Sequence, residues 1–221
     1  MVESIVRITV ALVAAYLIGA IPFALIIAKR FYGVDVREHG SGNLGATNVL
    51  RVLGAKAALA TFALDIAKGA AAVGVAVLAH PPGISPAAHD WVLISTMIAA
   101  VLGHSYSPYV RFTGGKGVAT AAGALLVITP LAWPILFGTF VLVIVITRLV
   151  SLGSIVIAIQ FPFLMLLLYG DRTAFVVLSF AVAGLVIWRH RSNIGRIWRG
   201  EEARISIGKR TAEPDEEART S

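Results

Sequence analysis

The sequence contains no cysteine and few charged residues, and each shortage excludes a class of protein. Without cysteine the chain has no disulfides, no cysteine-ligated zinc and no thiol nucleophile, so any catalysis uses other groups. Charged residues make up 14% of the 221 residues and apolar residues 57%, whereas soluble domains have about 25% and about 45–50%. The mean hydropathy of +0.84 therefore predicts an all-α integral membrane protein, folded as one helical bundle.

Seven apolar stretches alternate with polar loops and predict about seven transmembrane helices. A bilayer core of roughly 30 Å needs about 20 apolar residues for each helical crossing. Stretches 91–103 and 117–129 are shorter, so we expect each to cross part of the bilayer or to continue into its flanking loop. Stretch 5–28 runs into basic residues instead of a cleavage motif, which predicts a retained helix. The predicted helices are 5–28, 55–79, 91–103, 117–129, 131–147, 152–169 and 173–188.

Basic residues predict the orientation of the bundle, because cytosolic flanks hold the excess of lysine and arginine. With seven crossings, sixteen of the 19 Lys and Arg residues lie on the side of the first, third and fifth loops and the C-terminus. We therefore expect the N-terminus outside and the C-terminus in the cytosol. The same clustering explains the net charge of +7 without nucleic acid as a partner. Residues 1–208 are predicted to form one transmembrane domain, and 209–221 a polar, disordered cytosolic tail.

The first polar segment, residues 39–54, is rich in glycine, hydroxyl and amide side chains. Its glycines free the backbone to approach a ligand, and the residues that follow can open a short helix with Gly54 beyond its end. Backbone N–H groups at a helix start, together with polar side chains, suit a phosphate. The alternative is a plain flexible loop. The candidate ligands are Ser41, Asn43, Thr47, Asn48 and Arg51.

The second segment places a lysine among glycines directly before an apolar helix. It differs from the nucleotide-binding P-loop, because Val110 stands where the first glycine belongs and Gly117 replaces the Ser or Thr. A glycine nest at a helix start nevertheless favours an anion. His104, just upstream, is either a further ligand or a hydrogen-bonded histidine at a helix end. The phosphate ligands predicted here are Gly114, Gly115, Lys116 and Gly117.

The third segment follows the last predicted helix. His190 and Asn193 are three residues apart, so we expect them to share a helical face and to meet a substrate headgroup. The alternative is a basic anchor with tryptophans at the membrane interface. All three segments are predicted to emerge on one side of the bundle. Their convergence indicates a phosphorylated, partly apolar substrate.

Few polar groups lie within the apolar stretches. Asp65 and Lys68 are three residues apart and are expected to neutralise each other as a structural ion pair, although ionisable residues in membrane helices are often functional. Ser151 and Ser154 offer hydroxyls at the cytosolic end of a helix, where such serines usually bond the backbone. Apart from Asp65, the apolar stretches contain no aspartate, so no metal is expected.

Five motifs follow one another along nearly the whole chain. They are Gly-Ser-Gly-Asn-Leu-Gly-Ala-Thr-Asn at 40–48, Leu-Asp-Ile-Ala-Lys-Gly at 64–69, Gly-His-Ser-Tyr-Ser-Pro at 103–108, Gly-Gly-Lys-Gly-Val-Ala-Thr at 114–120, and the pair His190/Asn193. In these motifs the sequence resembles the bacterial acyl-phosphate:glycerol-3-phosphate acyltransferase family. It departs from the family at Leu44, where proline is common, and at Tyr106 and Tyr109, where phenylalanine is.

The resemblance implies a seven-helix fold in the bacterial inner membrane, with the active site facing the cytosol. It implies transfer of a fatty acyl group from acyl phosphate to the 1-hydroxyl of sn-glycerol 3-phosphate, giving lysophosphatidic acid and inorganic phosphate. Neither a cofactor nor an obligate protein partner is implied; the partners are the two substrates and membrane lipid. The proton acceptor stays open between His190 and a substrate phosphate oxygen. The implied catalytic residues are His190, Lys116 and Ser41, with Arg51, Asn193 and Ser154 as further ligands.

Two other functions compete with acyl transfer. A transporter of phosphorylated metabolites would also place basic groups near broken helices, but here the polar residues lie on one side instead of running through the bundle. A phosphoalcohol transferase would need several metal-binding aspartates at helical spacing. Soluble-domain acyltransferases for the same acceptor use a His-x4-Asp pair, and none of the five histidines has an aspartate five residues later.

Overall fold

Helices form the regular structure of residues 2–79 and 82–205, the parts of the chain that the computed structural model describes. Helical backbone satisfies its own hydrogen bonds, as a bilayer requires. The predicted tail, 209–221, lies outside the described residues. A 3₁₀ turn, Pro108–Val110, separates the fifth and sixth helices. The helices are α1 (Val2–Ala20), α2 (Phe23–Tyr32), α3 (Ala46–Leu53), α4 (Ala55–Leu78), α5 (Pro86–Ser105), α6 (Val118–Ile128), α7 (Trp133–Thr147), α8 (Val150–Tyr169), α9 (Thr173–Arg189) and α10 (Arg191–Trp198).

The length and composition of these helices confirm the predicted all-α membrane bundle. Among the described residues, four segments are long and apolar enough to cross a bilayer, namely Val2–Tyr32, Ala55–Leu78, Pro86–Val110 and Val150–Tyr169. Helices α9 and α10 qualify together as a fifth, bent by 59°. Helices α6 and α7 are shorter and apolar. Seven crossings would require α6 and α7 to cross as well, so the predicted number and orientation stay predictions.

The first predicted helix, 5–28, corresponds to the single candidate span Val2–Tyr32, which the structure breaks into α1 and α2. Pro22 lacks an N–H, so it ends the hydrogen-bond ladder of α1. The carbonyls freed at the break accept hydrogen bonds from side chains elsewhere in the bundle: Ser107 Oγ donates to Ala20 at 2.6 Å and Lys68 Nζ donates to Ile21 at 2.8 Å. The break thereby ties α1 to α4 and to the loop after α5.

Helix α5 is longer than the predicted stretch 91–103, while the other short stretch is close to its prediction. The hydroxyl of Ser85 accepts from the Ala88 N–H, and Pro86 occupies the first turn, so α5 starts earlier. Asp90 then lies inside the helix, where Arg172 neutralises it through two hydrogen bonds. The second short stretch forms α6, which has 11 residues.

Small residues let α4 and α6 pack with their backbones in contact. A Cβ added to Gly69 would lie 1.9 Å from the Thr120 carbonyl oxygen, and one added to Gly123 would lie 1.8 Å from that of Ile66. Close approach of this kind is typical of membrane helices. Because α6 begins directly after the glycine-rich segment, this packing fixes the position of that segment against α4.

Candidate active site

A cavity of about 690 Å³ lies at one end of the bundle, where several parts of the chain meet. Its walls come from the first polar segment with α3, the first half of α4, the end of α5 with the start of α6, the second half of α7 with the start of α8, and the junction of α9 with α10 together with Glu202 and Ile205. We call it the polar cavity. Of the predicted site residues, it is lined by Ser41, Asn43, Thr47, Asn48, Arg51, His104, Lys116, Gly117, Ser154, His190 and Asn193. Gly114 and Gly115 are not among its lining residues but belong to the same loop as Lys116.

The first polar segment is shaped by the side chain of Asn48, which is 1% exposed. Its Oδ1 accepts from the N–H of Ser41 at 2.8 Å and from the Ser41 hydroxyl at 3.1 Å. Its Nδ2 donates to the carbonyls of Val36 and His39. Asn48 therefore holds the loop, and Ser41 with it, at the mouth of the cavity. The predicted helix after this loop is confirmed as α3, with Gly54 directly beyond its end.

Residues 113–117, here called the glycine loop, pack tightly against the end of α5. The N–H of Gly115 donates to the carbonyl of His104 at 3.1 Å, and a Cβ on Gly114 would lie 2.1 Å from that same oxygen. Gly117 has φ of 79°, a left-handed conformation that glycine adopts without strain, and α6 begins at the next residue. The loop thus presents Lys116 and a helix N-terminus to the cavity together.

The surroundings of Lys116 disfavour its charged form. Its ammonium has a pKa lowered to about 8, chiefly by burial and also by nearby Arg196, Arg189 and Arg51, while Glu202 acts in the opposite direction. The ammonium donates to the side-chain oxygen of Asn193. A bound phosphate would stabilise the charged form in the same way as any nearby anion. Lys116 is therefore suited to bind an anion that enters the cavity.

His190 occupies the bend between α9 and α10. Its side chain is buried, and Nδ1 lies 2.8 Å from the carbonyl oxygen of Val186. Because a carbonyl only accepts, Nδ1 carries the proton, which leaves Nε2 as the accepting atom. Asn193 lies one turn further on, in α10, and lines the same cavity. The pair predicted to share a face is brought together by a bent junction, not by one straight helix.

Glu202 is a site residue that the sequence reasoning missed. It accepts hydrogen bonds from Ser151 Oγ at 2.8 Å, Asn193 Nδ2 at 2.7 Å and Arg196 Nε at 2.7 Å. Burial alone would raise its pKa, but these three donors outweigh burial and hold the pKa below its ordinary value. Since Glu202 takes the amide N–H of Asn193, the oxygen of that amide turns toward Lys116. The signal available in the sequence was a pair of acids, Glu201 and Glu202, within a basic segment.

Asp65 and Lys68 form the predicted ion pair. Their side chains are both 2% exposed, and Lys68 Nζ lies 2.7 Å from Asp65 Oδ1. His104 Nδ1 lies 3.7 Å from the same oxygen. The hydroxyl of Ser154 donates to the Val150 carbonyl, the usual backbone bond of a helical serine. Asp65 lines the cavity, and its pair with Lys68 lies beside His104 at the end of α5.

Comparisons with known proteins agree on one family. A family profile described as glycerol-3-phosphate acyltransferase matches residues 9–200. A glycerol-3-phosphate acyltransferase of Bacillus cytotoxicus is 44% identical over 203 residues, covering 90% of this chain and 96% of the relative. One from Synechococcus elongatus is 45% identical over 192 residues, covering 86% and 91%.

Solved structures extend the similarity to the fold. The integral membrane glycerol 3-phosphate acyltransferase PlsY (YgiH), in its glycerol 3-phosphate form, superimposes with a TM-score of 0.80 at 38% identity, covering 90% of this chain and 96% of that one. Its lysophosphatidic acid form gives a TM-score of 0.77 at 38% identity, covering 89% and 94%. The chain therefore belongs to the glycerol-3-phosphate acyltransferase family of integral membrane enzymes.

Proposed function

We propose that this enzyme transfers a fatty acyl group from acyl phosphate to the 1-hydroxyl of sn-glycerol 3-phosphate, giving lysophosphatidic acid and inorganic phosphate. The observation that carries the proposal is the polar cavity itself, where a lysine in a glycine nest faces a histidine with a free accepting nitrogen. Family membership supports the acceptor, since relatives are named for it and a related structure holds it. A related structure with lysophosphatidic acid supports the product.

Each of the two substrates carries a phosphate, and both phosphates have to bind in the polar cavity. Different cationic residues of the cavity suit each phosphate. Lys116 and the backbone N–H groups at the start of α6 suit the phosphate of the acyl donor. Arg51 and Ser41 are exposed, line the cavity from α3 and the first polar segment, and suit the phosphate of glycerol phosphate. Asn193 lines the same cavity and accepts a hydrogen bond from Lys116. Such a division would bring the acyl carbonyl close to the acceptor hydroxyl.

The reaction needs positioning and charge stabilisation more than a strong nucleophile. The glycerol 1-hydroxyl oxygen attacks the acyl carbonyl carbon, the bond from that carbon to the phosphate oxygen breaks, and inorganic phosphate leaves with the electron pair. Lys116 and the glycine loop stabilise the negative charge that develops. The hydroxyl proton goes to Nε2 of His190 or to an oxygen of the departing phosphate. No step requires a metal or a cofactor.

An apolar slot adjoins the polar cavity and is proposed to hold the acyl chain. The two share Ser154 and residues of α4, α6 and α7 in their walls. Trp133 lies at its wall, stacked on Phe137 at 4.8 Å between ring centroids. The lining is almost entirely aliphatic and aromatic, as an acyl chain requires. The slot is lined by Phe62, Val118, Ala119, Ala121, Ala122, Leu125, Trp133, Leu136, Phe137, Phe140, Ser154, Ile157, Ala158, Phe161, Val182 and Val186.

Narrowing the slot tests this placement. Ala122→Leu adds bulk to its wall, so turnover with hexadecanoyl phosphate should fall while turnover with a shorter donor, such as octanoyl phosphate, should change little. Ala67→Leu is the control, because Ala67 is exposed on α4 and lines neither cavity. Equal loss with both donors in Ala122→Leu would place the chain elsewhere.

The choice of donor and the rival transport function are tested in one experiment. Purified protein in liposomes receives radiolabelled glycerol 3-phosphate outside, with hexadecanoyl phosphate, with hexadecanoyl coenzyme A, or with no donor. The proposal predicts labelled lysophosphatidic acid with acyl phosphate only. Label trapped in the lumen without lipid product would favour a transporter, and product from the thioester would overturn the donor assignment.

A further inference from the structure

Arg189 is a basic residue at the end of α9 that lines neither cavity. It reaches across to the glycine loop, where its Nη2 donates to the carbonyl of Gly115 at 2.7 Å. Its guanidinium carbon lies 5.4 Å from the centroid of the Tyr106 ring, within the range of a cation–π contact. A side chain that runs from α9 to this loop therefore has two anchors beside the lysine of the site.

The Gly115 peptide is held from both sides. Its N–H donates to the carbonyl of His104, and its carbonyl accepts from Arg189. A Cβ at this position would lie 2.0 Å from Nε2 of His104 and 2.9 Å from the Leu44 carbonyl oxygen, so the backbone has no room to shift in that direction. Lys116 is the next residue, and its placement follows from this clamped peptide.

The positive charge of Arg189 does not help Lys116 to stay charged. Burial is the largest cause of the lowered pKa of Lys116. Arg189 is among the cations that lower this pKa as well, because two positive charges lie near each other. A residue present only to make the cavity positive would line it, and Arg189 does not. Its hydrogen bond to the glycine loop is the interaction that offsets this repulsion.

We propose that Arg189 is a positioning residue for acyl transfer, which holds the glycine loop so that Lys116 faces His190 and Asn193. Its side chain joins the loop to the end of α9, directly before His190, while Lys116 and Asn193 make a second bond, from the loop to α10. This inference rests on the proposed function for its effect on turnover, but the clamp on the loop does not. Misplacement by about 1 Å can lower a rate about 100-fold.

Arg191 provides a matched control two residues away. It donates to the Trp188 carbonyl at 3.1 Å and stacks on the Trp188 ring at 4.6 Å, so it has the same charge and a similar aromatic contact without touching the glycine loop. The variants are Arg189→Met, Arg189→Lys, Arg191→Met and Arg191→Lys, each in the full chain. The measurements are kcat, the KM for each substrate, and backbone hydrogen exchange of the glycine loop.

Arg189→Met should lower kcat by about 10-fold or more, with smaller changes in either KM, because the bound substrates are poorly placed. Arg189→Lys should recover part of kcat, since an ammonium can still donate to Gly115. Amides of the glycine loop should exchange faster in Arg189→Met than in the wild type, and Arg191→Met should match the wild type in both measurements.

Unchanged kcat and unchanged loop exchange in Arg189→Met would overturn the proposal, as would equal losses in Arg191→Met. If Arg189→Met does not fold, the proposal is tested by comparing Arg189→Lys with Arg191→Lys. Identical kcat and identical loop exchange in those two variants would refute the clamp. A wild-type protein that makes no product would instead count against the proposed function. Loop exchange would then still test the clamp, because it requires no turnover.

Discussion

Burial makes the charge of Lys116 sensitive to pH within the range where enzymes are assayed. Its pKa is about 8, and a lysine is charged below its pKa and neutral above it. We therefore expect kcat/KM for acyl phosphate to fall as the pH rises through about 8. Lys116→Arg should keep its charge throughout, because arginine does not lose its proton in proteins. The same alkaline fall in Lys116→Arg would show that another group causes it.

His190 is placed either to accept the glycerol proton or to bind phosphate, and one substitution separates the two roles. His190→Gln keeps hydrogen-bonding capacity but has no titratable side chain. If His190 is the base, kcat should fall strongly and its acidic limb should disappear. An unchanged pH profile with a raised KM for glycerol 3-phosphate would instead leave the proton to a phosphate oxygen of the substrate.

For individual residues, the sequence predicted the chemistry of the site but not the contacts that its side chains make. Glycines around Lys116 and polar residues around Ser41 predicted an anion site, and the structure brings these segments to one cavity. Asn48 could not be distinguished from a ligand, because its role depends on the carbonyls of Val36 and His39 that it binds. Glu202 was missed for the same reason, since its three donors come from two other parts of the chain.

At the scale of elements, the packing of α4 against α6 holds the glycine loop in position. Gly69→Ala would place a Cβ 1.9 Å from the Thr120 carbonyl oxygen, so the helices must separate. Overpacking of this kind destabilises by about 1–3 kcal/mol, and we expect a lower thermal midpoint in detergent together with lower turnover.

Gly74→Ala is the control within the same helix, because a Cβ there meets nothing within 4 Å. Alanine also favours helix over glycine by about 1 kcal/mol, so this variant should melt at the same temperature or higher. If the two variants melt alike, close backbone packing at Gly69 does not hold α6 in place.

Helix positions followed from apolar patterning, but helix breaks did not. The stretch 5–28 reads as one helix from hydropathy. The break at Pro22 is stabilised by side chains distant in sequence, since Lys68 and Ser107 donate hydrogen bonds to its freed carbonyls. The start of α5 was missed because Asp90 looks like a loop residue until Arg172 pairs with it. Long-range polar pairs of this kind leave no periodic signal.

At the scale of the whole molecule, the proposed orientation places the polar cavity in the cytosol. The absence of cysteine allows single cysteines to report on each side without background. Lys56 is exposed beside Ala55, which lines the cavity, and Ala87 is exposed at the start of α5, whose other end carries His104.

In intact bacteria, a membrane-impermeant maleimide should label Ala87→Cys and should reach Lys56→Cys only after the membrane is permeabilised. The reason is that the cavity side has the excess of basic residues, and such an excess is typical of the cytosolic side. The reverse pattern would invert the proposed orientation, and labelling of both cysteines in intact cells would place both ends of the bundle outside.

The central claim is that Lys116 and the glycine loop bind the phosphate of an acyl phosphate whose acyl group moves to glycerol 3-phosphate. The direct measurement counts products from purified wild-type protein and from Lys116→Ala, with the fold of each checked by thermal unfolding in detergent. The wild type should form one lysophosphatidic acid and release one inorganic phosphate for each glycerol 3-phosphate consumed, and a folded Lys116→Ala should form almost none of either. Wild-type turnover in Lys116→Ala, or lipid product without equal phosphate release, would contradict the claim.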